Sequence, residues 1–183
     1  MEQSNSLSQS NADDFSNISL RPFHLSDIDD FMVWVSDEKV AHFCSWEPYD
    51  TKENALNYLK NKAIPHPCFL AICLNSRPIG AISITLNSGN DVCRSELGYV
   101  LASAYWGKGI ATKAVKLMAE FIFRQRPELE RLEALVDVQN VGSLKVLEKV
   151  GFKREGVLRK YIILKGKTRD MVMFSLLSTE LVL

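Results

Sequence analysis

"AYWGKGIATKAV", Ala104 to Val115, sets two glycines around a lysine and then runs straight into a strong helical pattern. Bare backbone at the mouth of a helix has a physical use. The first amide N–H groups of a helix lack intrahelical partners and carry a partial positive charge, and glycines let an anion approach them closely. Gly107 and Gly109 supply that access. The spacing is not GxxxxGK[ST], because Lys108 lies between the glycines, and Thr112 stands where GxGxxG needs its third glycine. A Walker-type triphosphate cradle and a dinucleotide fingerprint are therefore both disfavoured. Two readings of the turn remain: a phosphate seat of another kind, or a strand-to-helix turn without a ligand.

Working outward, Ile110, Ala111, Ala114, Val115, Leu117, Met118, Phe121 and Ile122 recur at helical spacing, with Lys113, Lys116 and Glu120 opposite, up to a stop at Pro127. "RLEALVDV" then alternates apolar and polar residues as a strand does. Asn140 is placed to cap the next helix and Gly151 to end it. Two strands, about Phe152 to Ile163 and Arg169 to Leu177, close the chain around "KGK". On the other side of the quoted stretch, "RSELGYVL" predicts a strand, and "CFLAICL", the turn "NSRP" and "IGAISITL" predict a hairpin. "ISLRPF" opens the fold as a short strand. Ser26 and Asp29 suggest a capping box for a helix through about Val35, and a second helix begins at Thr51. The order β α α β β β α β α β β makes this a single α/β (α+β) domain. Its central sheet should be mixed, mostly antiparallel and six- to seven-stranded, flanked by about four helices.

Composition narrows the function. The chain has 183 residues, 46% of them hydrophobic, enough for one substantial core. Lysine plus arginine balances aspartate plus glutamate at 22 each, so overall charge gives no pull toward nucleic acid or an anionic membrane. Cys44, Cys68, Cys73 and Cys93 form no CxxC pair and follow no secretory h-region, as expected of a reduced intracellular protein. No metal is expected, and His24, His42 and His66 show no partner pattern. Residues 1–17 are polar and read as a disordered tail, leaving 18–183 as the folded unit.

"ELGYVLASAYWGKGIATKA", "DVQNVGSLKVLEKVGF" and "EGVLRKYIILKGKTRDMVMFSLL" together resemble the GNAT superfamily of acyl-CoA N-acyltransferases, in particular its RimJ/RimL branch. The similarity spans about Ile18 to Leu177. The superfamily signature [RQ]xxGx[GA] aligns with Gly109 and Ala111 and puts Trp106 where Arg or Gln is usual. The resemblance implies acetyl-CoA as co-substrate, bound at the junction of strand 4 and helix 3. Its pyrophosphate would rest on the segment Trp106, Gly107, Lys108, Gly109, Ile110, Ala111 and Thr112, and its pantetheine arm along Tyr99, Val100 and Leu101. Asn140 would lie near the coenzyme as well as capping its helix. An N–H of Val100 or Leu101 would then polarise the thioester carbonyl.

Amine acylation needs a base, because an ammonium cannot attack. Glu96 is the candidate, sharing a strand face with Gly98 and Val100 while Leu97, Tyr99 and Leu101 point the other way; the alternative is a salt-bridged strand residue. Many superfamily members carry a tyrosine acid four residues before the Gly of the "GF" pair, but here that position is Leu147. Ser143, in the first turn of the same helix, is the substitute candidate for the acid, or simply a helix N-terminal serine. An α-amine with a pKa of about 7.7–8.0 is partly neutral in the cell, whereas a lysine or polyamine amine near 10.4 costs about 4 kcal/mol to deprotonate at about pH 7.4. That favours a protein or peptide N-terminus as acceptor, with a polyamine or other small amine as the alternative. Trp46, Glu47 and Tyr49, with Asp50, offer aromatic walls and negative charge to a cationic amine, or else pack beneath their loop. A non-catalytic acetyl-CoA sensor is the third possibility, since Trp106 and Leu147 both depart from the pattern. The protein is expected to be cytoplasmic, small enough to pass nuclear pores, and a monomer or homodimer.

Overall fold

A computed structural model of the chain describes residues 17–181. The expected tail lies outside the described residues except for Asn17, whose carbonyl accepts the Asn75 amide at 3.2 Å. The strands are β1 (Ile18–Pro22), β2 (Phe69–Leu74), β3 (Arg77–Leu86), β4 (Arg94–Leu101), β5 (Arg131–Asp137), β6 (Lys153–Leu164) and β7 (Lys167–Leu177). The helices are α1 (Ile28–Val35), α2 (Glu38–Ala41), α3 (Lys52–Tyr58), α4 (Ile110–Gln125) and α5 (Val141–Val150). The fifth helix is the short α2, a single turn that Asp37 caps by accepting the Lys39 amide at 2.9 Å. It makes the β4–α4 junction the fourth strand with the fourth helix. The capping box expected at Ser26 and Asp29 sits elsewhere: Asp27 accepts the His24 amide at 2.8 Å and the Arg21 guanidinium at 2.7 Å, and α1 starts after it.

All seven strands join one sheet in the order β1-β2-β3-β4-β5-β7-β6. Every neighbouring pair is antiparallel except β4 and β5, which run parallel because α4 carries the chain across. Helices α4 and α5 cover one face, where Ile110, Ala114, Met118 and Leu147 pack on Ile82, Ile84, Leu97, Leu132 and Phe174. On the other face α1 and α3 cover the first strands, with Phe31, Trp34 and Ala55 against Ala71, Cys73 and Ala81. Fully burying one such large side chain contributes about 1.5–3 kcal/mol. Cys68 and Cys73 belong to opposite cores, and all four cysteines are free thiols. No helix among the described residues is long and apolar enough to cross a membrane.

The pairing of β4 differs sharply on its two sides. Toward β3 it pairs from Ser95 to Leu101, and Gly80 lies so close to Leu101 that an added Cβ would stand 2.3 Å from the Val100 oxygen. Toward β5 it pairs only from Arg94 to Glu96, with Arg131 to Glu133. Beyond Glu96 the two strands diverge into a seam.

Candidate active site

The parity of β4 decides which backbone groups face that seam. The Cys93 carbonyl accepts the Arg131 amide at 3.0 Å on the β5 side, whereas the Ala102 amide donates to Ile79 at 2.9 Å on the β3 side. Backbone groups alternate along a strand, so those of Tyr99 and Leu101 face the seam and those of Gly98 and Val100 face β3. The Leu101 carbonyl agrees, since it accepts the Trp106 indole N–H at 2.7 Å. Of the two amides expected to polarise a carbonyl, that of Leu101 faces the seam and that of Val100 faces β3. Trp106 offers no cation where the signature has Arg or Gln; it anchors the loop to the end of β4 instead.

The loop itself has the expected form. Gly107 and Gly109 hold φ of 75° and 77°, and an added Cβ at either would meet nothing within 4 Å. Backbone twist rather than space demands glycine there. Gly109 is the N-cap of α4 without a side-chain cap, and the first amide to bond back is that of Lys113, to Gly109 at 3.1 Å. The amides of Ile110, Ala111 and Thr112 come before that bond, in the first turn of the helix that follows β4. Lys108 stands 5.7 Å from the centre of the Tyr105 ring.

Glu96 occupies the point of divergence. It is the last residue of β4 paired with β5, lying opposite Glu133, and its side chain is on the face away from α4 and α5. Although Glu96 is exposed overall, partial desolvation of its carboxyl, and then the charge of Glu133, push it above the ordinary glutamate range. Glu133 is tied by Arg94 at 3.2 Å and Arg131 at 2.7 Å, and Arg131 in turn grips Glu155 at 2.5 Å. Glu155 also accepts the Ser175 hydroxyl at 2.7 Å, and its carboxyl is held down to about 2, first by Arg131 and then by Ser175. Sequence reading missed this chain of charges. Its signal was the alternation that puts Arg94 with Glu96, and Arg131 with Glu133, on one face.

At the other lip of the seam Asn140 accepts the Ser143 amide at 3.1 Å, so the expected cap is formed. The Ser143 carbonyl accepts the Tyr99 hydroxyl at 3.3 Å, which brings a phenol to the first turn of α5. Burial raises that phenol to about 12, so it stays protonated and keeps its proton for donation. Leu147 is fully buried in the core. In the α2–α3 loop the three expected acceptor residues divide. Trp46 and Tyr49 pack against the α1–α3 core, although the Trp46 indole N–H is buried without a partner among the described residues. Glu47 is exposed and pairs with Lys165 at 3.1 Å, joining this loop to the β6–β7 turn. No group of three or more metal-ligating side chains occurs among the described residues.

Comparison with known proteins gives this geometry a family. Residues 17–153 match the model of the acetyltransferase (GNAT) domain. An uncharacterized N-acetyltransferase, p20 of Bacillus licheniformis, is 30% identical over 169 residues, covering 89% of this chain and 94% of its own. The structure of Mycobacterium smegmatis RimJ in complex with CoA-disulfide superposes with a TM-score of 0.72 at 27% identity, over 91% of this chain and 84% of that one. Escherichia coli spermidine N(1)-acetyltransferase is 32% identical over 79 residues, 43% of this chain and 42% of its own. The fold is that of an acyltransferase. The chain belongs to the GNAT family of acetyltransferases, with RimJ among its structural neighbours.

Proposed function

We propose that the protein transfers an acetyl group from acetyl-CoA to the α-amine of a protein or peptide N-terminus, by direct attack within a ternary complex. The observation that carries this reading is the seam: β4 leaves β5 at Glu96, and the amides of Tyr99 and Leu101 line the opening. The residues present fit the coenzyme. The positive-φ glycines and the amides of Ile110 to Thr112 suit a pyrophosphate, and the unpaired strand edge suits an amide-bearing pantetheine arm. Acetyl-CoA supplies the activated acetyl thioester. The Leu101 amide is placed to donate to the acyl oxygen as negative charge grows there. Glu96, with its raised affinity for a proton, accepts one from the incoming ammonium, directly or through a water. The Ser143 carbonyl accepts the Tyr99 hydroxyl and so holds the phenol near the lip where Ser143 was the expected acid.

A covalent thioester on the enzyme is disfavoured, since burial raises the thiols of Cys44, Cys68 and Cys73, Cys44 to about 12. Cys93 lies at the far end of β4 from Leu101. The competing acceptor is a polyamine, which the spermidine acetyltransferase similarity favours. Labelled acetyl-CoA, offered with N-terminal peptides, internal-lysine peptides and spermidine, separates the readings. Transfer to α-amines with intersecting double-reciprocal lines is expected; transfer to spermidine alone, or parallel lines, would overturn the acceptor or the direct attack respectively.

A further inference from the structure

The sheet face that carries Glu96 continues across the seam as an apolar strip. In register, Glu96 lies opposite Glu133, and Glu133 opposite Ser175. One step along β5, Leu135 pairs with Met173 and Met173 with Gly156; a further step pairs Asp137 with Met171 and Met171 with Leu158. Leu135, Leu158 and Met173 are half-buried, and Met171 is 8% exposed, yet none of the four belongs to either core cluster. Space stands in front of the strip, because a Cβ added to Gly156, directly beside Met173, would meet nothing within 4 Å. Beyond the strip the hairpin end carries Arg159, Lys160, Lys165, Lys167 and Arg169, of which Lys165 pairs with Glu47 at 3.1 Å and Arg169 with Asp137 at 3.7 Å, so that with Asp170 the cations remain in excess.

We propose that Leu135, Met171, Met173 and Leu158 receive an apolar first side chain of the peptide whose α-amine is acetylated, and that the basic hairpin end disfavours acceptors with a second cation. This rests on the N-terminal acceptor reading and deepens it. Continuity argues for the occupant: with the α-ammonium at Glu96, the apolar residues that follow Glu133 along that face are Leu135 and Met173, two residues on, within reach of a long first side chain. Charge agrees at the far end, where the hairpin's excess of cations would meet a polyamine's next ammonium. Methionine is unbranched and repacks readily, so the strip suits Leu, Met or Phe without selecting one shape.

The test is kcat/KM at saturating acetyl-CoA for hexapeptides that differ only in their first residue, Leu, Met, Gly, Asp or Lys, with spermidine alongside. Leu- and Met-first peptides are expected to exceed the Gly-first peptide by about tenfold or more, the discrimination an apolar pocket supplies. Met173→Asp should abolish that lead and raise the Lys-first peptide, while Met173→Leu keeps the original ranking and both variants keep the acetyl-CoA KM. Equal rates on every peptide, or an unchanged ranking in Met173→Asp, would overturn the pocket and leave the N-terminal reading standing. Turnover of spermidine with none on any peptide would overturn both.

Discussion

The two ends of the β4–β5 seam are built from the same two strands and do opposite things. At the closed end three residue pairs hydrogen-bond, and a chain of charges, Arg94–Glu133–Arg131–Glu155, staples β4, β5 and β6 together on the open face. At the open end Leu101 and Tyr99 present unpaired edge, a pair of glycines at positive φ turns the chain, and helix α4 begins without a side-chain cap. Glu96 sits where one regime gives way to the other. The difference teaches that one strand pair can be reinforced at one end and left open at the other, which is what the proposed site requires. Function should therefore be sensitive at the open end, and stability at the closed one.

The sharpest way to break that division is at the boundary. Glu96→Gln keeps the shape of the side chain and removes its proton affinity, so kcat should fall by about 10²–10⁴, the usual worth of a positioned base. Stability should move the other way. The folded carboxyl binds its proton more tightly than an unfolded glutamate does. The ionised side chain thus costs stability above its raised value, and that cost disappears as pH falls through it. At pH 7 the variant should melt at or above the wild-type temperature, and the acid limb of kcat/KM, lying above the ordinary glutamate range, should vanish. A variant of normal turnover would remove Glu96 from the chemistry.

The open end is tested by Gly109→Val. At φ of 77° a β-branched residue is strained by about 1–3 kcal/mol, although no neighbour blocks its Cβ. The loop must shift to relieve this, and with it the first amides of α4. The KM for acetyl-CoA should rise about tenfold or more, with Tm lowered by only several degrees. Calorimetry showing undiminished coenzyme affinity in the folded variant would mean that the loop is not the phosphate seat.

These expectations also mark what the sequence could and could not disclose. The helix α4, the cap at Asn140, the αL stop at Gly151 and the terminal hairpin were legible because each depends on neighbours a few residues away. So was the face of Glu96, since strand alternation is local. The length of the β4–β5 pairing was not legible, because it depends on two segments separated by a whole helix. Without it the choice between the Val100 and Leu101 amides stayed open. Ser26 and Asp29 had the right spacing for a capping box, yet Asp27 won the position because Arg21 on β1 reaches it. Trp46 and Tyr49 looked like acceptor walls by composition, but their rings are drawn into the α1–α3 core, leaving Glu47 as the exposed member. The Tyr99 phenol was overlooked because its partner, the Ser143 carbonyl, lies on another element.

The smallest effect is expected at the closed end, from Glu155→Gln. Arg131 and Ser175 hold the folded Glu155 carboxyl at about 2, against about 4.3 for an unfolded glutamate. The folded protein therefore binds fewer protons in that interval, and the pair's contribution is present above about pH 4.3 and is lost as pH falls toward 2. The Glu155 side chain is 42% exposed, so solvent screening limits the pair to about 1 kcal/mol or less, a Tm change of about 2–4 °C for a chain of this size. The variant should melt lower than wild type at pH 7 and converge with it toward pH 2. Its acetyl-CoA KM should stay within about twofold of wild type, because the staple lies at the opposite end of β4 from the loop. A Tm gap that persists at pH 2 would mean that the Arg131–Glu155 pair is not what holds the closed end, whereas a large rise in KM would show that the two ends of the seam are mechanically coupled.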